Sequence, residues 1–220
     1  MTMLSKNSIK HAKYLSELKI KNCKKVSGYN NICKKIYSEL KNSHEIVNNH
    51  VTFKNSELLL EKINYFPDDS MPQEIKDFIF NYCTHKLSYS KTIKSVHKIN
   101  VSFYLTDNDI NNIHQYKEYI KLIFLWFIFA VPYSTTKCSK IINVNLYLTD
   151  YLKTLPASSI NILSPININT GYTRRCSRDS NIVIYRKEEW FKVLIHESMH
   201  YLALDIDIGY KYNLYDIFKL

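Results

Sequence analysis

The segment NIVIYRKEEWFKVLIHESMHYL, residues 181–202, joins a strand pattern directly to a helix pattern. β-Branched and aromatic residues over 181–186 are typical of a strand. Glu188 and Glu189 then suit the start of a helix, because the helix dipole favours negative charge at its N-terminus, and the pattern continues to about Leu204. The segment therefore predicts a strand that leads straight into a helix, around which the rest of the fold is built.

Two histidines and a glutamate lie within this helix as HESMH. Residues four apart share a helix face, so His196 and His200 project side by side, while Glu197 lies about 100° round from His196. Paired imidazoles of this kind suit a zinc ion, which is usually held by neutral histidine nitrogens. We therefore expect His196 and His200 to be metal ligands. The alternative is that both are hydrogen-bonded core or surface histidines.

Glu197 has a different expected role, as the catalytic base. A catalytic zinc site keeps one coordination position for water, and Glu197 would take a proton from that metal-bound water. The water would attack a peptide carbonyl, and the glutamate would pass the proton to the leaving nitrogen. The sequence thus predicts a Zn²⁺-dependent peptidase that hydrolyses peptide bonds in a peptide or protein substrate.

HESMH resembles the HExxH signature of the zincin metallopeptidases, and the longer stretch 169–207 resembles metallopeptidases encoded by large double-stranded DNA viruses. The resemblance implies an α+β, zincin-like fold in which a mixed β-sheet packs on the active-site helix. It also implies that the strand before this helix, Ile182–Arg186, is a sheet edge with which an extended substrate pairs. A viral protein would act in the host cell or the virion.

The third metal ligand is the main departure from the zincin pattern, in which a His, Glu or Asp downstream supplies it. The 20 residues after His200 contain no His and no Glu, so Asp205, Asp207 and Asp216 are the candidates. In a continued helix Asp205 would point about 140° away from His200, so it could serve only if the helix ends first. A further alternative is a chain shortened at its C-terminus that lacks the ligand and binds zinc weakly or not at all.

The region before residue 96 has a mostly helical pattern. Helices are predicted over 1–47, with a break near Ser27, over 56–66, and over 72–87, where Pro72 suits the first helical position. We therefore expect a helical N-terminal region over 1–95, followed by a zincin-like domain over 96–220.

The second region begins with an alternation of strand and helix. Strands are predicted over 99–105 and 141–150, with a helix over 109–130, capped by Asp107 or Asn108 and ending before Pro132, between them. The string YLTD occurs in both strands, at 104–107 and 147–150. The repeat suggests that the two strands are parallel neighbours joined by a crossover helix. The alternative is that the string is repeated by chance. Residues 155–181 are expected to form a loop.

The chain is strongly basic, with a net charge of +10, and carries 26 Lys but only 4 Arg. Residues 1–50 contain 10 Lys and 3 Glu, which suits either a solvated face or a surface that binds nucleic acid. The basic charge gives one alternative function, a basic helical module that binds nucleic acid or a partner protein. A separate alternative is an inactive pseudo-enzyme that keeps the zincin fold.

All four arginines lie close to the motif: Arg174, Arg175, Arg178 and Arg186. In a chain that otherwise uses lysine, retained arginines suggest a need for the planar guanidinium, either for a carboxylate or for structure. A chance cluster is the alternative.

The five cysteines are scattered and form no CxxC pair, which argues against a disulfide framework and a thiolate zinc site. An intracellular, reducing compartment such as the cytoplasm is therefore expected. The start of the chain lacks the apolar stretch of a signal peptide. The most apolar run, LIFLWFIFAV at 122–131, is too short for a bilayer that needs roughly twenty residues, so it predicts a buried core helix and no membrane span.

Overall fold

The computed structural model describes residues 27–53, 58–62, 71–93, 97–134, 138, 140–154, 165–177 and 181–205. The helices predicted before Ser27 lie outside these residues. The helices are α1 (Ser27–His50), α2 (Gln73–Tyr82), α3 (Asp107–Ile110), α4 (Ile113–Ala130), α5 (Pro165–Ile168) and α6 (Trp190–Tyr201). The strands are β1 (Leu58–Lys62), β2 (Cys83–Ile93), β3 (His97–Thr106), β4 (Ile141–Thr149), β5 (Gly171–Tyr172) and β6 (Ile182–Arg186).

The strands form one mixed sheet in the order β1-β2-β3-β4-β6-β5. The central strands β3, β4 and β6 are parallel, whereas β1, β2 and β5 pair antiparallel with their neighbours. The predicted α+β class with a mixed sheet is confirmed.

The two YLTD strings lie on neighbouring parallel strands. Phe103 of β3 is opposite Leu146 of β4, so the residues that follow them, Tyr104 and Tyr147, come together. Their rings stack with centroids 4.3 Å apart. Helix α4 connects the two strands. The prediction of parallel neighbours joined by a crossover helix is therefore confirmed.

Helix α4 supplies much of the core on one face of the sheet. Its residues Ile120, Ile123, Phe124 and Phe127 are fully buried, in one cluster with residues of β3, β4, β6 and α6. The prediction that the apolar run 122–131 is a core helix is confirmed. Within the described residues, no helix is long and apolar enough to cross a membrane.

Helix α2 covers part of the opposite face. Ile75 and Ile79 belong to a second buried cluster that includes Tyr147, Val183 and Tyr185 from the central strands. The sheet thus has packed layers on both faces, as parallel strands require.

The expected helical N-terminal region is partly wrong. Residues 58–62 form a strand, not a helix, because they pair with β2 along their whole length and this pairing overrides their helix propensity. The predicted helix over 72–87 ends at Tyr82, and β2 starts at Cys83. Ile93 of β2 lies opposite His97 of β3, so the expected boundary after residue 95 falls between two paired strands of the same sheet.

The predicted helix over 109–130 is interrupted after Ile110. Its start is set by Thr106, not by Asp107 or Asn108, because Thr106 and Asp109 form a capping box. Oδ2 of Asp109 accepts hydrogen bonds from the backbone N and from Oγ1 of Thr106, at 3.0 and 2.7 Å.

Candidate metal centre

Helix α6 packs on the core with one face, which fixes the direction of the HESMH side chains. Trp190, Leu194, Ser198 and Tyr201 are buried, at the spacing of one helix face. The Tyr201 hydroxyl donates a hydrogen bond of 2.7 Å to the carbonyl of Ile141, at the start of β4. The histidines lie away from the buried face, with His196 exposed and His200 partly buried.

A polar contact inside the motif also joins α6 to α4. Nε1 of Trp126 donates a hydrogen bond to Oγ of Ser198, which in turn donates to the carbonyl of Ile195 at 2.8 Å. Ser198 is completely buried. The middle of HESMH is therefore attached to the core helix α4, which fixes the backbone that carries the two flanking histidines.

The two imidazoles converge at their outer nitrogens. Nε2 of His196 lies 3.1 Å from Nε2 of His200, and the ring planes are nearly perpendicular, at 86°. Two nitrogens on one tetrahedral zinc ion, each about 2.0–2.1 Å from it, would be about 3.3 Å apart. The observed separation fits a shared ion. It also suits a hydrogen bond between the rings, which is the alternative stated from the sequence.

Asp205 contacts the other nitrogen of His200. Its Oδ2 lies 2.8 Å from Nδ1, so the tautomer with hydrogen on Nδ1 donates to the carboxylate and keeps a lone pair on Nε2. Helix α6 ends at Tyr201, and Ala203, with a φ of 53°, reverses the chain so that Asp205 returns to the ring. In the structure, this candidate third ligand therefore lies on the far side of the ring, where carboxylates orient metal-binding histidines.

Arg175 approaches the same carboxylate from the segment after β5. Its Nε lies 3.3 Å from Oδ1 of Asp205. Desolvation raises the pKa of Asp205, but the hydrogen bond with His200 and the charge of Arg175 outweigh it and hold the pKa below its ordinary value. Asp205 is thus held as a carboxylate between a cation and an imidazole. The arginine cluster is evident in the sequence, but this contact is not, because it depends on how the chain folds after Tyr201.

Glu197 lies partly buried beside the histidines. Burial raises its pKa, and the nearby His196 and His200 only partly counteract this, so the pKa stays above the ordinary value of a glutamate. Burial likewise raises the pKa of Tyr185 to about 12; Arg186 acts in the opposite direction, and Glu197 adds a smaller increase. A carboxylate with increased proton affinity next to paired imidazoles is suited to accept and return a proton.

The third ligand is not found in the described part of the chain, where no three His, Cys, Asp or Glu side chains form a group that could hold a metal ion. Asp207 and Asp216 lie outside the described residues. They stay predictions.

The strand before the motif helix is not a free edge, so the expected pairing of a substrate along Ile182–Arg186 is wrong. Strand β6 has β4 on one side and β5 on the other. The close approach of β5 depends on Gly171, where an added Cβ would lie 2.4 Å from the carbonyl oxygen of Val183. The backbone N of Tyr185 extends this pairing by donating to the carbonyl of Thr170 at 2.9 Å.

One disulfide joins Cys138 to Cys176. Cys33 and Cys83 are free. The scattered cysteines argued against a disulfide framework, and this single pair was not foreseen from the sequence. An intracellular, reducing compartment stays a prediction.

A cavity of about 440 Å³ lies at the carboxyl ends of β3 and β4, with no residue of HESMH in its lining. Its acidic residues contact neighbours in the same cavity: Asp109 accepts a hydrogen bond of 2.9 Å from the Tyr116 hydroxyl, and Asp150 lies 3.9 Å from Lys187. The histidine pair therefore remains the strongest candidate for a reactive site.

The described part of the basic N-terminal region is helix α1. Lys34, Lys35 and Lys41 are exposed there, whereas Val47 is buried against the core. This arrangement is what a solvated helix face would show. Nucleic-acid binding stays a prediction.

Comparisons of the chain with protein-family models, with curated proteins and with solved structures found no match. Membership of the zincin family and a viral origin therefore stay predictions.

Proposed function

We propose that this protein is a zinc-dependent peptidase of the zincin type. The observation that carries the proposal is the 3.1 Å separation of the His196 and His200 Nε2 atoms, together with the Asp205 carboxylate on Nδ1 of His200. Metal-binding histidines usually donate their second N–H to a carboxylate or carbonyl, which fixes the tautomer and the ring orientation. His200 has this arrangement.

One further protein ligand beside the two histidines would make this a catalytic site and not a structural one. Structural zinc sites are closed by four protein ligands, whereas catalytic sites keep a position open for water. The described residues offer two converging nitrogens, and the side-chain carboxylates of Asp207 and Asp216 are the candidates for a third ligand. With one of these two carboxylates bound, the fourth position would be open to water.

Each residue of the chain has a distinct task in the proposed reaction. A bound zinc ion would supply Lewis-acid polarisation of a water molecule and a carbonyl group. His196 and His200 would hold the ion through Nε2, and Asp205 would keep His200 in the required tautomer. Glu197 would accept a proton from the attacking water and return it to the leaving nitrogen, which its raised pKa favours.

A digestion assay tests this function. The wild-type chain loaded with one equivalent of zinc is incubated with a mixture of unfolded proteins, and new peptide termini are identified by mass spectrometry. Cleavage should occur with wild type, stop on chelation, and return when zinc is restored. Glu197→Gln should bind zinc but not cleave, whereas the exposed Glu188→Gln should cleave like wild type. Equal cleavage by wild type and Glu197→Gln would contradict the proposal.

The limited ligand set also favours a second candidate, a pseudo-enzyme that retains the fold as an interaction surface. The described residues contain no group of three metal-binding side chains. In that case wild type and Glu197→Gln would fold equally well, and neither would cleave any member of the mixture. The same assay therefore distinguishes the two candidates.

A further inference from the structure

A chain of contacts connects the disulfide to the histidine pair. Arg175 directly precedes Cys176, which is bonded to Cys138. The Arg175 guanidinium lies 3.3 Å from one oxygen of Asp205, and the other oxygen lies 2.8 Å from Nδ1 of His200. The contacts thus run from a covalent crosslink, through an ion pair and a hydrogen bond, to one of the proposed zinc ligands.

The ion pair between Arg175 and Asp205 is too exposed to be stable unless the backbone beside it is held in place. The side chains of Arg175 and Asp205 are 40% and 25% exposed, and ion pairs at such positions contribute little because water screens them and two side chains must be ordered. Arg175 lies in a turn between β5 and β6 and not in a regular element. A fixed backbone next to the arginine reduces the entropy lost when the pair forms.

The disulfide supplies that fixed backbone. It attaches the turn at residues 175–176 to the buried Cys138, just before β4. Cys176 has a φ of 46°, in the left-handed region that non-glycine residues rarely adopt. Without the crosslink, the turn could relax to a more common backbone conformation. Arg175 would then move with it.

We propose that Arg175 is a positioning residue for His200, acting through Asp205, and that the Cys138–Cys176 disulfide holds Arg175 in place. The inference rests on the proposed metal site. It makes zinc affinity dependent on the redox state of this cysteine pair. A dithiol reductant would supply two electrons and two protons, breaking the S–S bond to give two thiols while the dithiol itself becomes a disulfide.

Loss of the disulfide has a defined consequence for the metal site. Once Arg175 is released, the Asp205 carboxylate loses its cationic neighbour and is free to rotate into water, away from Nδ1. The His200 ring then loses the partner that sets its tautomer. Removing such outer partners weakens metal affinity by roughly 10–100-fold, and we expect a loss of about tenfold because Asp205 itself remains.

Zinc affinity, measured by competition with a chromophoric chelator on the full chain, tests the proposal. The forms compared are oxidised wild type, Cys138→Ser/Cys176→Ser, Arg175→Ala and Arg175→Lys. The serine pair avoids new thiols that could bind zinc themselves. Arg174→Ala is the neighbouring-arginine control, and Cys33→Ser, at an exposed free cysteine, is the cysteine control.

The serine pair and Arg175→Ala should each lose about tenfold in affinity, and combining them should cause little further loss because both act on one contact. Arg175→Lys should recover part of the loss, since it restores a cation near Asp205. Both controls should bind like wild type. Thermal unfolding of the metal-free forms separates positioning from folding: Arg175→Ala, with its disulfide intact, should melt close to wild type.

Equal zinc affinity in oxidised wild type and Arg175→Ala would overturn the inference while leaving the proposed metal site intact. The inference would also be overturned by a second result: Arg175→Ala loses zinc affinity only in proportion to its lower melting temperature, and Arg175→Lys recovers none of the loss. If oxidised wild type itself binds no zinc, the proposed function fails and this inference fails with it.

Discussion

Nδ1 of His200 lies 2.8 Å from the carboxylate of Asp205, while Nε2 of the same ring faces Nε2 of His196 at 3.1 Å. The two sides of one imidazole thus have different partners: an acid that orients the ring, and a second imidazole with which it could share an ion. The end of the helix makes this possible. The chain reverses at Ala203 and brings Asp205 back to the His200 ring, whereas in a continued helix Asp205 would point away from it.

Replacing Asp205 with alanine should weaken zinc binding without removing a ligand. We expect the dissociation constant to rise by roughly 10–100-fold, because His200 loses the acceptor that fixes its tautomer. Isothermal titration with zinc measures the effect. Asp150→Ala is the matched control, since Asp150 is exposed and lies near Lys187. An unchanged affinity in Asp205→Ala would show that this carboxylate has no part in metal binding.

The peptidase activity should depend on the ionisation of Glu197. Its pKa is raised, and a base must be ionised to accept a proton, so activity should increase with pH through a pKa above the ordinary glutamate value. Glu197→Gln should lower kcat by about 10²–10⁴-fold at the pH optimum. A pH–rate profile with zinc content determined at each pH measures this. An acidic limb that follows zinc loss alone would contradict the role of Glu197 as the base.

Replacing Trp126 with phenylalanine should loosen the attachment of the motif helix to α4. The completely buried Ser198 Oγ would no longer accept a hydrogen bond from the Trp126 indole N–H. This loss should lower the free energy of unfolding by about 1–3 kcal/mol. Urea denaturation of Trp126→Phe, Ser198→Ala and the double variant gives the coupling between the two side chains. We expect a coupling of about 1 kcal/mol. Strict additivity would mean that the hydrogen bond contributes nothing to stability.

Replacing Gly171 with alanine should disturb the pairing of β5 with β6. The added Cβ would lie 2.4 Å from the Val183 carbonyl oxygen and 2.6 Å from Cδ1 of Ile184, so the backbone must shift. Overpacking of this kind costs about 1–3 kcal/mol, which urea denaturation would detect. Zinc affinity should also decrease, because β5 leads into the turn that contains Arg175. A variant as stable as wild type would contradict the close pairing.

The sequence predicted the elements of the central unit, and parallel pairing for β3 and β4. The apolar patterns of β3, β4, β6 and α4 identify each element locally, whereas the place of β6 between two other strands was not predicted. Strand β1 was missed because Leu58–Lys62 contains good helix formers, and only its pairing with β2 makes it a strand. Long-range pairing of this kind is not encoded in the local pattern.

The site was predictable only in part, for a similar reason. His196, Glu197 and His200 were identified because they lie within one helix turn of each other. The contact of Asp205 depends on a left-handed alanine at Ala203, which nothing in a sequence marks as a turn. The Cys138–Cys176 pair is 38 residues apart in a chain with an odd number of cysteines, so its partners could not be assigned from spacing.

The proposed function requires that His196 and His200 bind one zinc ion together. Elemental analysis of the purified chain, after equilibration with zinc and removal of excess, measures this binding. We expect close to one zinc per wild-type chain, none in His196→Ala or His200→Ala, and one in His114→Ala, which alters an exposed histidine on α4. Wild-type chain without zinc, or zinc retained after His196 is replaced, would contradict it.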